Sequence, residues 1–137
     1  VLNLLSGKML LAAFLQLAPQ IPAIMGMEEN TVVWATDTEK YILVISPKTE
    51  AWKSFDLMAG ERIRSGVGPV VLSTKQPYHA MIPRDVFGVP LRAAAYPLLE
   101  GDEIIGVVGI SFGLDAEDQV AQMANELASK CMQLKFK

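Results

Sequence analysis

The stretch over residues 87–112, FGVPLRAAAYPLLEGDEIIGVVGISF, limits most strongly what this chain can become. Two apolar runs flank Glu100-Gly101-Asp102. A Gly-Asp pair between such runs is a hairpin signal, because a tight turn needs residues that tolerate left-handed backbone. Strands are predicted over 89–98 and 103–113. Pro90 and Pro97 lie near the ends of the first of these and mark edges or bulges, since proline donates no ladder hydrogen bond. Gly106, Gly109 and Gly113 punctuate the second, and glycines inside a strand imply close approach of another backbone, helix or ligand.

A smaller hairpin precedes it. TVVWAT (31–36) and YILVIS (41–46) are rich in β-branched and aromatic residues, and Asp37-Thr38-Glu39-Lys40 between them can bond its own backbone into a turn. Residues 48–65 read as a loop with one short helical turn. A short helix is predicted over 69–74, opened by Pro69. Gly66-Val67-Gly68 ahead of it is not a phosphate loop, because neither a third glycine nor Gly-Lys-Ser/Thr follows. Residues 77–83 read as a strand with Tyr78, Ala80 and Ile82 on one side and His79 and Met81 on the other. Residues 84–88 form a bridging turn.

Helices are predicted at both ends. The first covers residues 2–17 and stops at Pro19 and Pro22, which cannot complete an α-helical ladder. It is too apolar to stand alone, so it packs on its own sheet, on a partner chain, or on both. The last covers residues 115–136, with Asp115 as its cap. Val120, Met123, Leu127 and Leu134 recur at heptad spacing, with Lys130 in the remaining core slot. That pattern suits either a parallel coiled coil or a helix lying on the sheet. The expected organisation is one domain over 1–137, with an N-terminal helix (1–18), a sheet core (31–113) and a C-terminal helix (115–136).

Composition narrows the function. With 51% hydrophobic and 20% charged residues, 137 residues make one globular core. A net charge of −3 offers no basic face, so no nucleic-acid partner is expected. One cysteine (Cys131) and one histidine (His79) cannot build a disulfide or a Cys/His metal site, and no cofactor is expected. The apolar N-terminal run is broken by Gln16 and the prolines, so membrane insertion is not expected and the cytoplasm is the expected location. Asp56 with Glu61 and Asp102 with Glu103 are paired carboxylates in turns, where burial would not raise a pKa. Ser65 and Ser73 lack a nucleophile elbow. The chain does not read as an enzyme.

Together these elements predict an α+β fold: a five-stranded antiparallel sheet with flanking helices segregated to one side. That outline resembles the PAS-like (profilin-like) and Cache-like sensor folds. VVWATDTEKYILVIS is similar to the opening hairpin of the sensor domains at the N-terminus of methyl-accepting chemotaxis-type bacterial signalling proteins. IPRDVFGVPLRAAAYPLLEGDEIIGVVGISF resembles their closing hairpin. The resemblance implies a small-molecule-sensing input domain that passes ligand state to terminal helices at a homodimer interface. The alternative is a ligand-free structural or dimerisation domain of the same fold.

A PAS-type pocket would lie between the inner face of the sheet and the short helices after the second strand. Arg92, within LRAAAYP, is either on the solvent face or an anchor for an organic anion, since a planar guanidinium holds a carboxylate with two bonds. Tyr96 shares its alternation face. Tyr78 and His79 point to opposite faces, so at most one of them enters a given pocket. Trp52 belongs to the core or to a ligand cage. Arg92, Tyr96, Tyr78, His79 and Trp52 are the candidate ligand residues.

Overall fold

A computed structural model describes residues 6–114, Ala124 and residues 127–130. Its strands are β1 (Thr31–Thr36), β2 (Tyr41–Ile45), β3 (Tyr78–Ile82), β4 (Leu91–Glu100) and β5 (Glu103–Gly113). The helices are α1 (Gly7–Leu17), α2 (Ile21–Ile24), α3 (Val67–Thr74) and α4 (Arg84–Phe87). The strands make one sheet in the order β2-β1-β5-β4-β3, and every pairing is antiparallel. This is the expected α+β architecture, and it is consistent with a PAS-like fold.

The helices cover both faces rather than one, and β1 explains why. All six of its residues are buried. Val32 and Trp34 point into a core that includes Val71 of α3 and Phe87 of α4. Val33 points the other way, against Ala18, Ile21 and Phe14. A strand apolar on both faces must be covered on both. We call the α3/α4 side the inner face and the α1/α2 side the outer face.

The glycines of β5 make room for tryptophans. The Trp34 ring from neighbouring β1 occupies the space where a Gly109 side chain would sit. The Trp52 ring comes within 2.7 Å of the Cβ position at Gly113. Pro97 sits inside β4 rather than at its end. It lies beyond the last β3 pair, Tyr78 with Ala95, so it deprives no partner of a ladder bond on that side.

Pro19 and Pro22 do not end the N-terminal helical path. They relay it through a 3₁₀ turn (Ala18–Gln20) into α2, each proline in the first turn of its segment, where no amide proton is needed. By length and composition alone, Gly7–Ile24 is apolar enough to cross a membrane. At its start, α1 is seated on the tip of the β4–β5 hairpin. The Lys8 amide donates to Glu100 Oε1 at 2.6 Å, the Met9 amide donates to Ser6 Oγ at 3.2 Å, and a Cβ on Gly7 would meet Leu99 O at 2.6 Å.

Of the C-terminal helix expected over 115–136, Ala124 and residues 127–130 are described. They are helical and exposed. Val120, Met123, Cys131 and Leu134 lie outside the described residues, as do residues 2–5 of the first helix.

Candidate functional site

The inner face carries an enclosed cavity. Its floor is β1, β4 and β5, with Tyr41 of β2 and Ile82 of β3 at the sides, and its walls come from α3, α4 and the loop that carries Phe55 and Leu57. The space holds about 20 Å³, room for roughly one water molecule. Among the described residues, no charged one lines it. Three lining residues carry side-chain polar groups: Ser111, Tyr41 and Trp34. The Trp34 indole Nε1–H donates to Ser111 Oγ at 3.0 Å. The Trp34 and Tyr41 rings meet edge to face, with centroids 5.9 Å apart. Burial pushes the Tyr41 phenol up to about 12, against weaker opposing effects from Arg64, so it stays neutral across the physiological range.

The roof is aromatic. Phe55 and Phe87 line the cavity with ring centroids 6.4 Å apart, and the Asp56 amide donates to Phe87 O at 2.8 Å. Arg64 lies outside the lining and ties the roof together. Its Nη2 donates to Glu61 Oε1 at 2.6 Å, its Nη1 donates to Val86 O at 3.0 Å, and its guanidinium sits 5.5 Å above the Phe87 ring. Asp56 Oδ2 is a further 3.7 Å ion-pair contact. The guanidinium hydrogen bond, with a second from the Met58 amide, holds the Glu61 carboxyl below its usual range.

None of the five predicted residues lines this cavity. Alternation along β4 buries Leu91, Ala93 and Ala95 and exposes Arg92, Ala94 and Tyr96. Arg92 is therefore on the outer face, the solvent side of the two readings it carried. His79 pairs with Ala94, so it shares that face, and β-sheet register gathers Arg92, His79 and Tyr96 around Ala94. Tyr96 is 55% exposed and, with Phe14 and Ala94, lines a shallow apolar groove of about 300 Å³. Tyr78 pairs with Ala95 on the inner side but is exposed at the strand end. Trp52 is buried, with its ring 5.4 Å from that of Phe55, adjoining the roof without reaching the cavity.

Sequence reasoning missed Tyr41, Ser111 and Arg64. Ser111 could have been found, because it is the one polar residue on the inward alternation of β5 between Gly109 and Gly113. Arg64 had no such signal, since its role depends on a loop folding back over α4.

No family model matches the chain, and no solved structure matches it at a significant level. The "Putative sensory transducer protein YfmS" of Bacillus subtilis (strain 168) is 29% identical over 122 residues. The match covers 88% of this chain and 41% of that protein. The chain thus spans about two fifths of the length of the relative it matches.

Proposed function

We propose that the chain is the small-molecule-sensing input domain of a bacterial signal-transduction protein of chemotaxis type, which passes ligand state to its terminal helices at a homodimer interface. Similarity to a protein named a sensory transducer supports a role in signal transduction. The finer reading is carried by one observation, the position of the β4–β5 hairpin. Ser111 and Gly109 of β5 lie under the cavity and the Trp34 ring, while the hairpin tip holds the start of α1 through Glu100. The C-terminal segment leaves the far end of the same strand. A guest that shifts β5 therefore acts on both terminal helices. It does so only if it binds one helix arrangement better than another.

In this reading the domain is not an enzyme and uses no cofactor or nucleic acid. It resides in the cytoplasm and keeps α1 on the sheet rather than in a bilayer. The test is a thermal-shift screen over small acids, amines and neutral compounds, followed by hydrogen exchange on any stabilised sample. A ligand that binds the folded form raises the melting temperature. The reading requires that this ligand also change amide protection in α1. Stabilisation with α1 unaffected would remove the signalling half of the proposal.

The second reading, a ligand-free dimerisation domain, is favoured by the size of the cavity, about 20 Å³. A screen without a single stabiliser would select it.

A further inference from the structure

We infer that the inner cavity selects a compact neutral guest carrying one hydrogen-bond acceptor, received by the Ser111 hydroxyl, and excludes anions. The inference rests on the ligand-sensing reading above and specifies the ligand's chemistry. Three observations carry it. First, the lining holds no charged side chain among the described residues, so a carboxylate entering it would lose its hydration without gaining a counter-charge. Second, the guanidinium stacked on the roof, Arg64, is engaged by Glu61 and Val86 O and lies close to Asp56. A guanidinium already paired with a carboxylate has less to offer an arriving anion. Third, Ser111 is 3% exposed, and its oxygen accepts the Trp34 indole N–H. A serine hydroxyl is both donor and acceptor, so its hydrogen is the donor that faces a guest. An acceptor there becomes part of a chain running from indole to hydroxyl to guest.

Roughly one water fits as the cavity stands. A larger guest lifts the roof, where Phe55 and Phe87 are held down by the Arg64 contacts and by the Asp56 amide on Phe87 O. This places the opening at the loop around Arg64 and away from Arg92, which lies on the opposite face of the sheet.

The test uses two probes of nearly equal shape, 2-butanone and propionate, titrated to tens of millimolar into the whole chain. Five heavy atoms offer few contacts against the cost of association, so weak, saturable binding is the expected regime. The readout is the Trp34 indole N–H resonance, which reports its hydrogen bond to Ser111. Butanone is expected to shift that resonance saturably, and propionate to leave it in place. Ser111→Ala is expected to weaken butanone binding by about 2- to 12-fold, the equivalent of one hydrogen bond of about 0.5–1.5 kcal/mol. The comparison of the two probes on the unmodified chain stands even if that variant folds poorly. Equal shifts from both probes, or no saturable shift from butanone, would overturn the inference. If butanone fails while the wider screen yields a stabiliser, the sensing reading survives and the neutral-guest inference falls. If the whole screen is silent, both fall.

Discussion

At the scale of single residues, the inner cavity is shaped by groups whose environment makes them do one thing. Tyr41 is the clearest. Its phenol keeps its proton to about pH 12 in the folded chain and loses it near 10 when unfolded. Below pH 10 both states hold the proton and its contribution to stability is fully present. Between pH 10 and 12 only the unfolded state releases it, so stability falls as pH rises, by about 2–3 kcal/mol across that window. Urea midpoints measured over pH 9–12 should show this decline, and Tyr41→Phe should flatten it. An unchanged slope in that variant would mean that another group titrates. Gly109 tests packing on the other side of the Trp34 ring. An added methyl would fall on the ring and within 2.7 Å of Ala94 O, with backbone on one side and a buried indole on the other. Gly109→Ala is expected to cost about 1–3 kcal/mol by overpacking, read as a lower urea midpoint at unchanged slope.

At the scale of elements, α1 is anchored at one end and sparsely buried along its length. Gly7 is the one buried residue among its eleven. The carboxylate of Glu100 and the hydroxyl of Ser6 supply acceptors to amides that a helix start leaves unpaired. The Glu100 carboxyl is held below its usual range by the Lys8 amide, so this anchor is present above the ordinary glutamate pKa and weakens as pH falls through the depressed value. Glu100→Gln and Ser6→Ala should each speed amide exchange in α1 while leaving β1 and β5 protected. Uniform acceleration across the sheet would show that the anchor is not local. Strand existence was legible from alternation and turn residues: β1 and β5 fall where the sequence places them, and the register puts Tyr78, Ala80 and Ile82 opposite Ala95, Ala93 and Leu91 as their alternation requires. The pairing of β1 with β5 was not legible, because nothing local links residues about 75 apart. That pairing, and the loop that folds back over α4, decide which guanidinium stands near the cavity. Local pattern could only offer Arg92, the one within a strand, and the two-residue period then turns it outward.

At the scale of the whole molecule, most of the large apolar side chains exposed among the described residues lie on the N-terminal helical path and the C-terminal helix. Met9, Leu17 and Ile24 on the N-terminal path are 53%, 50% and 68% exposed, and Leu127 on the C-terminal helix is 62% exposed. Large apolar side chains left exposed in this number along a helical path are unusual on a monomer and typical of an interface. A two-fold partner would cover the same side chains on both copies at once, since an isologous contact is self-complementary. Sedimentation equilibrium at tens of micromolar is therefore expected to report a dimer, with a melting temperature that rises with protein concentration. Leu17→Glu places a charge among those side chains. Leu17 is half-exposed within one chain, so the change should alter the fold of the single chain by no more than about 0.5 kcal/mol. It should nevertheless drive the dimer apart and remove the concentration dependence of melting. A strict monomer at high concentration, or a dimer indifferent to this charge, would leave a guest in the inner cavity with no second chain to act upon. Any signal would then have to leave through α1 of one copy alone.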